Sequence, residues 1–105
     1  MSSYKIILSD NAYKDIKNIS TYISKELHDK DAAERSISIF YRTIESLSEF
    51  PKRQSIIEKE VGIIPGAIRR VNVKNYSIFY TCSDEEILVR IWRIVYNKRE
   101  WQNLI

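Results

Sequence analysis

The spacing of apolar residues changes once along this chain, and that change limits what it can fold into. From Ala12 to Leu47 they recur in steps of three and four, and from Ile68 to Tyr96 largely in steps of two. The first period belongs to helices with one buried stripe and the second to strands. Pro51, directly after Phe50, marks the switch. Its ring removes the N–H that a continuing helix would need.

On the helical side, Ala12, Ile16, Ile19, Ile23 and Leu27 define one face, with Tyr22 adding bulk at its flank. Ser9-Asp10-Asn11 precedes them, three residues whose side-chain oxygens can accept from the unpaired N–H groups of a helix start. His28-Asp29-Lys30 interrupts the pattern, and Asp31-Ala32-Ala33-Glu34 then reads as a capping box with Asp31 as the cap. Ala33, Ile37, Phe40, Ile44 and Leu47 form the second stripe. So short a joint predicts an antiparallel helical hairpin. Neither helix is stable alone, so both stripes must press onto something else.

Residues 52–67 read as an irregular connection around Gly62, Pro65 and Gly66. Strand-like stretches follow at 68–73, 76–82 and 87–96, joined by Lys74-Asn75 and by Ser83-Asp84-Glu85-Glu86, both of hairpin length. Tyr4-Lys5-Ile6-Ile7-Leu8 is a further strand that can join the edge of this meander. The expectation is an α+β fold: an N-terminal strand, an antiparallel helical hairpin, then a three-stranded antiparallel meander completing a single sheet. The hairpin would cover one face and leave the other open. Residues 98–105 are expected as one helical turn or a frayed tail. At 105 residues, one domain spanning 1–105 is expected.

Composition removes several classes of function. Cys82 is the only cysteine, so no internal disulfide can form, and with His28 as the only histidine no zinc site of four N/S ligands is expected. No phosphate-binding glycine loop, Ser-His-Asp set or cofactor motif is present, and no cofactor is expected. No apolar run has membrane-spanning length and the N-terminus has no signal-peptide core, so a cytoplasmic protein with no membrane partner is expected. Net charge is +3, unevenly spread: residues 1–50 hold seven Lys/Arg against eight Asp/Glu, and residues 66–105 hold seven against four. An anionic partner would be sought first in the C-terminal part.

The strands carry the candidate site residues. In 68–73, alternation puts Arg69 with Val71 and Val73, and Arg70 with Asn72. In 87–96, unbroken alternation puts Ile87, Val89, Ile91 and Val95 with Arg93, and Leu88, Arg90, Trp92, Ile94 and Tyr96 on the other face. Each apolar face is thus interrupted by an arginine, a costly filler if desolvated without acceptors. Arg69, Arg70, Arg90, Arg93, Lys98 and Arg99, with Tyr76, Tyr80, Tyr96 and Trp101, would line one open sheet surface suited to nucleic-acid backbone and base contacts. The bland alternative is structural. Strand aromatics usually pack across strands, and the arginines would pair with carboxylates such as Glu45 or Glu58. His28, in a joint, and Cys82, at a strand end, read as a loop residue and a core residue.

The ordered set of motifs resembles the RelE/ParE toxin superfamily over nearly the whole chain. Its pieces are Asp15-Ile16 with Tyr22-Ile23, Phe50-Pro51, Ile68-Arg69-Arg70, Asn75-Tyr76-Ser77-Ile78-Phe79-Tyr80, and the run from Arg93 through Tyr96, Lys98 and Arg99 to Trp101. The resemblance implies the toxin of a type II toxin–antitoxin pair that inhibits bacterial growth. Its cognate antitoxin would wrap it, and the complex would bind operator DNA through the antitoxin. RelE-type members cleave mRNA on the ribosome; ParE-type members poison DNA gyrase and are not nucleases. In the RelE version Arg69, Arg70, Arg93 and Arg99 would be catalytic. The remaining candidates, Tyr76, Tyr80, Arg90, Tyr96, Lys98 and Trp101, would contact nucleic acid or another target. The chain departs from RelE in lacking a late histidine, since Tyr96 stands where relatives often have one. Its end, Gln102-Asn103-Leu104-Ile105, lacks RelE's late tyrosine. The first helix looks closer to ParE, and that reading is taken ahead of the nuclease. A relative that binds antitoxin without being toxic is the third reading.

Overall fold

A computed structural model of the chain describes residues 3–54, 56–57 and 67–97. Strand β1 (Lys5–Leu8) runs into helix α1 (Asp10–Thr21), which is capped as expected: Ser9 Oγ accepts the Ala12 N–H at 3.1 Å. A π turn at Tyr22–Glu26 extends it. That wider turn, closed by Leu27 N–H to the Tyr22 carbonyl five residues back, shifts the stripe out of phase. Leu27, expected on the buried face, is therefore 57% exposed, whereas Ala12, Ile16 and Ile23 are buried.

Helix α2 (Lys30–Ser46) starts two residues earlier than the capping-box reading placed it. His28 takes a positive φ of 51°, which turns the chain so that Asp29 becomes the cap. Asp29 Oδ1 accepts the Ala32 N–H at 2.9 Å, leaving Asp31 as an acidic residue of the first turn. Asp29→Ala is expected to cost about 1 kcal/mol in a thermal or urea melt. A short helical turn at Pro51–Arg53 follows α2.

The sheet contains β2 (Arg69–Val73), β3 (Tyr76–Ser83) and β4 (Leu88–Tyr96), with spatial order β1-β4-β3-β2. The β2–β3 and β3–β4 pairs form the expected antiparallel meander. β1 joins its edge parallel to β4, so the sheet is mixed. Ile87, expected at a strand start, instead has φ 51° in the turn and is exposed. Both helices cover one face. Ala12, Ile16, Phe40, Ile44 and Leu47 meet Val71, Val73, Ile78, Tyr80, Val89, Ile91 and Ile94 there. The second face is less open than expected, because Ile57 packs on a buried group of Ile68, Phe79 and Val95. No helix among the described residues is long and apolar enough to cross a membrane.

Candidate functional site

The site begins with a break in β4. Tyr80 pairs with Ile91 but Phe79 pairs with Arg93, so Trp92 is an extra residue, a β-bulge. An inserted residue reverses side-chain alternation beyond it. Val89 and Ile91 therefore share the helix-covered core with Ile94, and Val95 falls on the second face with Phe79. The unbroken alternation expected over 87–96 put Val95 with Ile91, and Ile94 with Arg90. The bulge corrects both, and it removes Arg93 from the core face.

Arg93, opposite Phe79 and beyond the end of β1, reaches Asp15 on α1. Its Nε donates to Asp15 Oδ2 at 2.7 Å and its Nη2 to Oδ1 at 3.0 Å. Asp15 Oδ2 also accepts the Ile94 backbone N–H at 2.9 Å. Both side chains are largely buried, and this bonding raises the Arg93 pKa further. The carboxylate partner is thus Asp15, from α1. Glu45, suggested by sequence, lines a shallow groove beside α2 with Glu34 and Arg42, and Glu58 lies outside the described residues.

The other candidates divide between the faces. Tyr76, Tyr80, Tyr96 and Arg69 are on the helix side. Tyr76 stacks edge-on with Phe40 (5.4 Å between centroids) and with Tyr96 (5.5 Å), and burial raises its pKa. Tyr80, fully buried, donates its hydroxyl to the Pro51 carbonyl at 2.6 Å; burial pushes its pKa up to about 12. Arg69 Nη1 donates to the Lys52 carbonyl at 3.3 Å and to the Gln54 carbonyl. Beside them Lys52 and Tyr4 both donate to Asp84, holding its carboxyl below the usual range.

On the second face stand Arg70, opposite Phe79, and Arg90, opposite Thr81. The Arg90 guanidinium lies 5.6 Å from the centre of the Trp92 ring, and the indole N–H donates to Thr81 Oγ1 at 2.9 Å. Alternation along β1 places Lys5 here too. Among the described residues no strand carries an acidic residue, so this face bears Lys5, Arg70 and Arg90 without a carboxylate from those strands. Lys98, Arg99 and Trp101 lie outside the described residues. Among those described, no group of three His, Cys, Asp or Glu side chains gathers. Sequence reasoning missed two participants, Trp92 as part of the site and Asp15 as its support. The available signal was an arginine interrupting an apolar face.

The sequence profile of the ParE toxin of type II toxin–antitoxin systems, parDE, matches residues 6–101. The chain belongs to this family. Among solved structures, a chain of the chromosomal ParDE toxin–antitoxin system from P. aeruginosa is similar in fold, with TM-score 0.72, 14% identity, and coverage of 90% of this chain and 96% of that one. The RelBE2 complex from Mycobacterium tuberculosis gives TM-score 0.68 at 18% identity over 91% and 93%. The archaeal RelE–RelB complex from Pyrococcus horikoshii gives 0.62 at 14% over 92% and 98%. At such identities the likeness is one of fold. Comparison with proteins of curated function gives no match in sequence. The RelE/ParE resemblance read from the motif order is thus met by a family match. Within this ParE-family toxin, Arg90 and Trp92 stand on one side of the sheet, while Tyr76, Tyr80 and Tyr96 stand on the other.

Proposed function

We propose that this ParE-family toxin inhibits growth by binding DNA gyrase as a non-nuclease, and that a cognate antitoxin neutralises it. Operator DNA would be bound by the complex through the antitoxin. The observation that carries the gyrase reading is the commitment of Arg93 and Tyr80 to internal bonds. Arg93 holds Asp15 through two nitrogens, and the Tyr80 hydroxyl is buried against Pro51. A ribosome-dependent nuclease would need such groups beside the scissile phosphate, aimed at developing charge. The family match to ParE supports the same choice. Target contact falls to the second face, to Arg70, Arg90 and Trp92, together with Lys98, Arg99 and Trp101 of the final segment.

The test is induction of the chain in bacteria without antitoxin, with supercoiling by purified gyrase assayed in parallel. Expected are an SOS response, filamentation and loss of supercoiling, with mRNA intact. Cutting of mRNA at codon positions would replace this reading with the RelE-type nuclease. Normal growth would leave a non-toxic antitoxin-binding relative.

A further inference from the structure

We infer that the N-terminal half of α1, with its cap, is a positioning element for target contact: Ser9 and Asp15 hold the β4 bulge, and the bulge fixes the Arg90–Trp92 cation–π pair that meets the target. The inference rests on the proposed role of the second face. A bulge leaves backbone groups without ladder partners, and those groups need others. Here β1 ends at Leu8, just where the bulge begins, and α1 takes over. Ser9 N–H donates to the Ile91 carbonyl at 2.9 Å and Ser9 Oγ to the Trp92 carbonyl at 2.7 Å. Asp15 receives the Ile94 N–H and the Arg93 guanidinium. Because Ser9 Oγ also caps α1 through Ala12, the helix start and the bulge form one hydrogen-bonded unit.

That unit sets what faces outward. Trp92 is the inserted residue, pinned by its N–H to Thr81, and Arg90 is held over its ring. A guanidinium held on an aromatic ring loses little freedom when it meets an anion. The ring face toward Arg90 is already occupied, so the pair offers cationic donors and not a bare stacking platform. With no carboxylate on the described strands, its complement is an acidic group on the target protein.

The test compares Asp15→Asn, Ser9→Ala and Arg90→Ala with Asp29→Ala, which destabilises α2 far from the bulge. Growth inhibition on induction is measured in the otherwise natural chain. Trp92 emission and acrylamide quenching are measured after Trp101→Phe, which leaves one tryptophan. Arg90→Ala should raise the inducer needed for half-inhibition about tenfold. Asp15→Asn and Ser9→Ala should also weaken inhibition, with Trp92 emission shifted to the red and quenched more readily. Asp29→Ala should change neither readout. If Asp15→Asn and Ser9→Ala shift the emission yet leave inhibition intact, α1 positions nothing of functional weight. Unchanged emission removes the clamp itself, whatever the toxicity. A folded Arg90→Ala of full potency removes the contact. Supercoiling left intact by the natural chain, beside a potency loss in Arg90→Ala, discards the gyrase reading alone.

Discussion

Arg93→Ala should lower the free energy of unfolding by about 2–3 kcal/mol, short of the ~3–5 kcal/mol seen when a fully buried pair loses one member. Asp15 sets the size of this loss. Its carboxylate is held by two guanidinium nitrogens and one backbone N–H, and its side chain is only 11% exposed. Removing Arg93 leaves a largely desolvated negative charge with the Ile94 N–H as its remaining donor among these three. Asp15→Ala should cost a similar amount, since it takes the carboxylate from a guanidinium that is itself largely buried and leaves Ile94 N–H without that acceptor. The double variant should be less damaging than the two losses added, with a coupling of about 1–2 kcal/mol, as expected for groups in one network. Arg93→Lys keeps the charge but cannot grip both carboxylate oxygens, so it should recover only part of the loss. Urea unfolding of the natural chain and these four variants measures all of this; additive losses would show that the two residues do not act as a unit. The same result governs how toxicity data are read. A non-toxic Arg93→Ala protein would reflect a loosened sheet edge before it reflected any contact with phosphate.

That edge also shows where the sequence stopped being legible. The helices were readable because their stripes keep a period that only a helix satisfies, and Ala12, Ile16, Phe40, Ile44 and Leu47 are all buried as spaced. The hairpin at Lys74-Asn75 was readable from its two polar residues, and Lys74 takes the positive φ of 55° that such a turn requires. The bulge was not readable directly, since period-two reasoning assumes that no residue is inserted. Its trace was a contradiction, Arg93 landing among Val89, Ile91 and Val95. One extra residue resolves this by placing Ile94 in the core instead. The π turn escaped for the same reason, as an insertion that shifts phase at Leu27. The three tyrosines of the expected surface illustrate a different limit. Strand aromatics look alike in sequence whether they face a partner or a helix, and only Phe40, brought across from α2, shows which side Tyr76 takes.

Tyr80 ties this buried side to the connection after α2, and its ionisation gives a pH signature of that tie. As a neutral phenol it donates to the Pro51 carbonyl; as a phenolate it would have no proton to give and would carry charge in the core. Its pKa accordingly rises from 10.0 to about 12, with burial the leading cause and Arg69 acting in the opposite direction. The folded chain therefore holds its proton over a range in which the unfolded chain has lost it. This contribution to stability is complete below about pH 10, falls as pH climbs from there, and is gone above about pH 12. A shift of this size corresponds to about 2–3 kcal/mol. Tyr80→Phe removes both the bond and the titration. At neutral pH it should cost about 1–2 kcal/mol, because the Pro51 carbonyl loses its donor. Other tyrosines and lysines also titrate in alkali, so the difference between the two proteins isolates Tyr80. Urea midpoints should show the natural chain more stable at pH 8, with the gap closing between about pH 10 and 12 and reversed by the upper end of that range. A gap that stays constant across that range would mean that the phenol does not titrate against the fold as its burial requires. Closure of the gap would show the Pro51–Gln54 connection held from below by Tyr80, with Arg69 gripping the Lys52 and Gln54 carbonyls beside it. Both residues would then belong to the scaffold, leaving recognition to the opposite face.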